Sequence, residues 1–349
     1  MIRRRTFLGG TLSAASLGTC KAQSAAAASQ NVVAPTRSEP LVWPILTKQQ
    51  PGIPSFAGHA DTVLDVIGQI GAPPSLVVFT EGNHLMVLSS NDVVGAFPSW
   101  AKSQPQYADI DLANIILVTL PQPILVQMVR TGGVALGNLT LDVSRASGFY
   151  PDIFLGYPEP LRQLRKLGVI DPQARFFSKN RGVALLVRKG NPLGIRDLRD
   201  VVGAGTRIAL PDAGDARANC LAAAEDLIGK SAADALLAAE VSFPGRLGIM
   251  HRDLPEMVAR GYADVAFTWY HLVSYWTRIF PNHFEFVAVP GAERFFTQIA
   301  LARVSDPLRP RAMKAFDEFF FSRARDIYPK YDFARMDDTE FGAALGLDL

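Results

Sequence analysis

Cysteine is nearly absent: Cys20 and Cys220 are the two in 349 residues. Cys20 closes an apolar leader, which leaves Cys220 without an intrachain partner. No disulfide is therefore expected, and stability must come from a core, which about 300 residues after the leader can supply. Metal and nucleophile signatures are missing as well. There is no paired Cys-x-x-Cys, no His-Glu-x-x-His and no Gly-x-Ser-x-Gly. Gly229-Lys230-Ser231 imitates the end of a phosphate loop, but the glycine required five residues earlier is Ala224. Gly203-Ala204-Gly205 begins a dinucleotide fingerprint that fails at Ile208. No catalytic residue, metal site or cofactor is expected on these grounds, and the chain does not read as an enzyme. After the leader no run reaches the roughly 20 apolar residues of a membrane span. A strong charge of one sign is also lacking. The formal net charge is +2, and without Arg3, Arg4, Arg5 and Lys21 there are 31 basic against 33 acidic residues. No basic stripe remains for nucleic acid. Near-neutrality does not argue against an anionic ligand, because local dipoles can hold one.

The N-terminus carries the first positive signal. Arg3-Arg4-Arg5-Thr6-Phe7-Leu8 precedes a short run of Gly, Leu, Ala and Ser. The order matches a twin-arginine export signal, here taken as residues 1–28. Leu17-Gly18-Thr19-Cys20 resembles a lipoprotein cleavage box, which would anchor lipid on Cys20. Ordinary cleavage within Gln23–Ala28 is the rival. Either way the mature protein is expected in the periplasm, free or tethered, and as a monomer. Residues 29–69 read as a linker and N-terminal arm.

Beyond that arm, strands and helices alternate. Ser75–Thr80 and Ile115–Leu120 are continuous apolar runs, as suits strands buried on both faces of a parallel sheet. Helices follow from about Asn91 and after Pro121-Gln122-Pro123. Further strands are expected at Leu139–Val143, Asp152–Leu155, Val183–Val187, Arg207–Leu210, Val265–Thr268, Glu285–Val289 and Phe295–Ala302. Helices are expected at Tyr157–Gly168, Ile195–Val201, Asp215–Ile228, Met257–Arg260 and Leu308–Ser322. The class is α/β with mainly parallel strands.

Arg181–Val187 runs into Arg188-Lys189-Gly190-Asn191-Pro192 and then Ile195-Arg196-Asp197-Leu198. This segment resembles the periplasmic solute-binding proteins of the molybdate-binding type. Tyr150–Phe154, Pro211-Asp212-Ala213-Gly214 and the stretch from Phe319 to Tyr331-Asp332-Phe333 extend the resemblance. Asp332 stands where that family usually has Gly. Gly168–Pro172 resembles the family's connector before the first lobe crossing. His251–Met257 followed by Gly261–Trp269 resembles one of its subgroups. The resemblance implies a two-lobed type II periplasmic-binding-protein fold with two crossing hinge strands. Lobe one would comprise 70–180 plus 303–349, and lobe two 181–302. It also implies a substrate-binding component of an ABC transporter, with a permease as partner and an oxyanion such as molybdate or tungstate as ligand.

Ligands in such folds sit where strand ends meet helix starts, because unpaired N–H groups and the helix dipole favour anions there. That rule selects Glu81, Gly82 and Asn83 after the first strand, and Pro121 and Gln122 after the second. It also selects Asp212 and Ala213, then His251 and Arg252 at a helix start, and Trp269 and Tyr270. Trp269 and Tyr270 read equally well as core, and His251-Arg252 as a solvated helix end. Where that family usually has Ser or Thr hydroxyls, this chain has Glu81 and Pro121-Gln122. A carboxylate facing a dianion is repulsive. Either Glu81 turns away, or Glu81 with His84 favours a cation, a metal complex or another ligand. A small organic anion, or a periplasmic accessory protein or enzyme on this fold, remain the alternatives.

Overall fold

The apolar runs form the centre of a seven-stranded sheet. Its order is 344–346, 170–179, 298–304, 153–156, 76–80, 115–119, 65–67. The strands Ile115–Thr119, Leu76–Thr80 and Ile153–Gly156 are mutually parallel. Alternation sorts their side chains onto two faces. Leu76 and Val78 face a core closed by the helices Phe97–Ser103 and Pro310–Ile327. Val77 and Phe79 face a core closed by the helices Gln122–Thr131 and Pro158–Lys166. The computed structural model describes residues 31–37, 39–43, 65–69, 71–136, 139–243 and 250–348. The expected export signal, Cys20 and its expected lipid anchor lie outside the described residues. Among the described residues no helix is long and apolar enough to cross a membrane.

A second, four-stranded sheet runs 208–209, 265–269, 183–188, 284–288. It is packed by the helices Gly214–Ile228, Met250–Ala259 and Tyr270–Ile279 around its own core. The protein is thus a two-lobed α/β fold. The described part of the N-terminal arm straps this second lobe. Asn31–Val32 pairs in parallel with Val241–Ser242. The N–H groups of Thr36 and Arg37 donate to the Arg260 carbonyl, and Leu41 and Trp43 are buried. Cys220 is a buried free thiol that donates to the Phe267 carbonyl at 3.3 Å.

The chain crosses between sheets at 180–182 and again at 289–297. The crossings touch. Asn180 Oδ1 accepts from the N–H groups of Gly182 and Thr297, both at 3.2 Å, and Asn180 N–H donates to the Thr297 carbonyl. Gly182 has φ +76°, and a Cβ there would lie 1.9 Å from the Ala292 carbonyl oxygen, so this crossing needs glycine. Gln298–Val304 lies wholly in the seven-stranded sheet, between the strands 153–156 and 170–179.

The segment Gly168–Pro172, expected as a connector, instead opens a ten-residue strand, Ile170–Lys179. It pairs with 298–304 on one side, through two register shifts, and with the short strand 344–346 on the other, and its burial does not alternate strictly. The helices Lys230–Ala238 and Tyr270–Ile279 are also additions to the sequence-based reading. Gly229, at φ +83°, separates two helices that otherwise abut. Inside the first lobe, Asp152 is fully buried. Its carboxylate accepts from the Val77 N–H and from the N–H and Nε of Arg309, whose other nitrogens reach the carbonyls of Gly148 and Tyr150. This satisfies a buried charge and pins the start of the 153–156 strand.

Candidate functional site

Parallel strands end on one edge, so the residue after each strand and the start of each following helix gather there. In lobe one these are Glu81, Pro121 and Tyr157, which begin the turn Gly82–His84 and the helices Gln122–Thr131 and Pro158–Lys166. In lobe two, Ala213 and Trp269 begin the helices Gly214–Ile228 and Tyr270–Ile279. None of these five positions supplies a side-chain cap.

The lobes meet at this edge. The His251 ring lies on Gly82, where a Cβ would fall 2.4 Å from its Cε1. Asp215, in the first turn of its helix, is pushed up by burial and then by the charge of Glu159, in the first turn of the Pro158–Lys166 helix. Asn219 Nδ2 donates to Thr297 Oγ1 at 3.3 Å on the second crossing.

Glu81 is 8% exposed, and its carboxylate accepts from the Tyr157 hydroxyl at 2.7 Å. His84 Nε2 lies 3.6 Å from the same oxygen. Gln122, 6% exposed, accepts the Tyr157 N–H on its Oε1 at 3.1 Å. Tyr157 therefore donates to both Glu81 and Gln122. Gly82 and His251 meet as described, and the backbone of Asn83 lies in the same turn. Asp212 and Ala213 are exposed at the head of the Gly214–Ile228 helix.

The other selected residues are placed differently. Arg252 sits in the first turn of the Met250–Ala259 helix, with its guanidinium 4.3 Å over the Trp43 ring of the N-terminal arm. Trp269 is fully buried in the second core, and its Nε1 has no hydrogen-bond partner among the described residues. Tyr270 packs between the Arg181 guanidinium and Phe286, and its N–H donates to the Gly182 carbonyl at the first crossing. Tyr157 was missed as a site residue. It occupies the same place after its strand as Glu81 and Pro121 do, so the same positional rule identifies it.

A second cross-lobe feature surrounds Phe333. Its ring stacks on His84 from the first lobe at 5.4 Å and 20°, and on His271 from the Tyr270–Ile279 helix at 4.3 Å and 24°. Phe177 and Tyr328 also contact His84. Asp332, with φ +67°, accepts from Ser274 Oγ at 2.8 Å and pairs with Arg278 on that same lobe-two helix. Asp332 thus holds a left-handed turn and makes two contacts to the other lobe. Burial pulls His84 down to about 3. Burial, then the neighbouring His84, holds His271 well below its ordinary value.

A model of the bacterial extracellular solute-binding protein family matches residues 123–333. Among solved structures, the sulfate-binding protein SubI from Mycobacterium tuberculosis is similar at a TM-score of 0.51 and 18% identity, over 76% of this chain and 87% of that one. PEB3 of Campylobacter jejuni, in its L-phospholactate-bound structure, is similar at 0.50 and 15%, over 75% of this chain and 100% of that one. At these identities the likeness concerns fold. No curated protein matches the chain.

The histidine stack makes stability depend on pH with a definite sign. Both imidazoles are neutral in the fold, whereas an unfolded histidine titrates near about 6.5. Below that value the unfolded chain binds more protons, so the stabilisation is complete above it and is lost as pH falls. The loss is about 1.4 kcal/mol per pH unit for each histidine. Urea unfolding between about pH 6 and pH 5 is expected to show His271→Phe with a slope shallower by that amount. Equal slopes in wild type and variant would contradict the buried neutral stack.

Proposed function

The chain belongs to the bacterial extracellular solute-binding protein family, and on that premise we propose that it captures a small anion between its lobes for an ABC-transporter permease. The ligand class we favour is an oxyanion such as molybdate or tungstate. The observation that carries this reading is the meeting of Gly82 and His251 across the edge where the helix starts gather. Unpaired N–H groups and helix dipoles at such an edge favour negative charge without a matched lysine. Closure of one lobe on the other would exclude water and strengthen those interactions.

Glu81 is the group that most opposes an anion. Its bond from the Tyr157 hydroxyl and its closeness to His84 draw the carboxylate against the lobe-one wall. That position supports the anion reading. The alternative of a cation or metal complex at Glu81 and His84 fits less well. His84 has no exposure and lies under Phe177, Tyr328 and Phe333. A ligand could reach its nitrogens only by dismantling that stack.

We place the lobe boundaries at the crossings 180–182 and 289–297, which puts the strand 298–304 in lobe one. We further propose export through the twin-arginine signal in residues 1–28, with Cys20 as the candidate lipid anchor. The ligand-binding set is proposed as Glu81, Gly82, Asn83, Pro121, Gln122, Asp212, Ala213, His251 and Tyr270, with Tyr157 added. Arg252 and Trp269 contribute packing in this reading, given their contacts with Trp43 and the second core.

A thermal-shift screen of mature protein against molybdate, tungstate, sulfate, phosphate, small carboxylates and divalent or trivalent metal ions tests the proposal. One anion at about a hundred times its Kd should stabilise the fold by about 2.7 kcal/mol. Stabilisation by metal ions alone would overturn the anion reading. Gly82→Ala should weaken that anion about tenfold, because the added methyl opposes closure against His251. Equal affinity in wild type and variant, by calorimetric titration, would remove His251 from the closing contact.

A further inference from the structure

The helix Met250–Ala259 carries His251 in its first turn, and the N-terminal arm lies along it. Leu254, Met257 and Val258 bury one side of the helix in the lobe-two core. Arg252, Glu256 and Arg260 recur at every fourth position and form a separate stripe. The arm follows that stripe in the reverse direction. The N–H groups of Thr36 and Arg37 donate to the Arg260 carbonyl, and the Leu41 N–H donates to Glu256 Oε2 at 3.0 Å. The Arg252 guanidinium carbon then lies 4.3 Å from the centre of the Trp43 ring. Trp43 also meets Phe280 edge-on at 5.1 Å. Gly261, just past the helix, leaves room for this path. It has φ +71°, and a Cβ there would fall 1.9 Å from Thr36 Oγ1.

The first turn of this helix needs outside support. Pro255 sits inside the helix and has no N–H, so the His251 carbonyl lacks the donor that an α-helix places four residues on. The turn that holds His251 and Arg252 is thus fastened to the rest of the helix by one bond fewer than usual. Trp43 closes on that same turn through Arg252, with a cation held over an aromatic face. His251 is the neighbour of Arg252, and its ring lies on Gly82 of lobe one. We propose that Trp43 is a positioning residue for ligand capture: the docked arm fixes the first helical turn through Arg252 and so holds His251 where lobe one meets it. This inference rests on the reading of Gly82 and His251 as the closing contact.

The test is Trp43→Ala in the mature protein, read first by hydrogen–deuterium exchange without ligand. The amides of Leu254 and Glu256, in the first half of the helix, should exchange about tenfold faster, while the strands Val183–Arg188 and Val265–Trp269 keep their rates. Trp43→Phe keeps an aromatic face for Arg252 and should restore most of the protection. Unchanged exchange in the helix overturns the inference. An equal rise throughout lobe two also overturns it, because Trp43 would then serve packing alone. Calorimetric titration with molybdate, sulfate and phosphate is the second readout. Trp43→Ala should weaken whichever of these the wild type binds by about tenfold, but by less than about twofold in a His251→Ala background, where the route through His251 is already gone. Equal losses in the two backgrounds overturn the inference. Should Trp43→Ala fail to fold, Arg252→Ala removes the other half of the contact and should give the same local exchange and affinity changes. A wild type that binds none of the three anions contradicts the oxyanion reading, and the exchange result then decides the positioning role by itself.

Discussion

Asn180 holds the two chain crossings together, and the geometry of everything between the lobes depends on that contact. One side-chain oxygen serves the N–H groups of Gly182 and Thr297, and the backbone of Asn180 bonds Thr297 in addition. Gly182 then touches Ala292, and its carbonyl receives the N–H of Tyr270. A few residues thus determine where the second sheet stands relative to the first. From that placement follow His251 over Gly82, Asp215 near Glu159, and His271 against Phe333. A hinge of this kind localises motion in short segments and leaves each packed lobe intact.

Tyr157 plays a comparable part within the first lobe. Its hydroxyl and its N–H reach Glu81 and Gln122, which follow two different strands. Two residues at the ends of two different strands are therefore coupled through one side chain and its backbone. A carboxylate is tolerable beside an anion when it is held to the wall by a donor. Asp332 follows the same logic at a distance. It adopts the left-handed turn that a glycine would favour and gains Ser274 and Arg278 as partners on the opposite lobe.

Much of this was legible in the sequence, for reasons that can be stated. Strands inside their sheets are buried on both faces, so Leu76–Thr80, Ile115–Thr119 and Val265–Trp269 read as unbroken apolar runs. Ile170–Lys179 did not, because Asp171, Pro172 and Gln173 interrupt its apolar pattern. The expectation of mainly parallel pairing does not hold, because most neighbouring pairs in the two main sheets are antiparallel. Tyr270–Ile279 was hidden because it follows its strand with no glycine or proline between them. The rule that ligands meet strand ends located Glu81, Gly82, Gln122 and the cross-lobe partner His251. It applies equally to Tyr157, which follows the expected strand Asp152–Leu155 and opens the next helix. Arg252 and the His84–Phe333–His271 stack depend on contacts between segments far apart in the chain, and no local pattern encodes them.

Closure of two lobes over an anion is the claim on which the account stands. Small-angle X-ray scattering of the mature protein, with and without a saturating oxyanion that stabilises it, measures that closure directly. A smaller radius of gyration with the anion, together with a bound-state profile matching the lobe arrangement described here, is the predicted result. An unchanged radius at saturation would contradict the account, because the anion would then be held without the lobes moving.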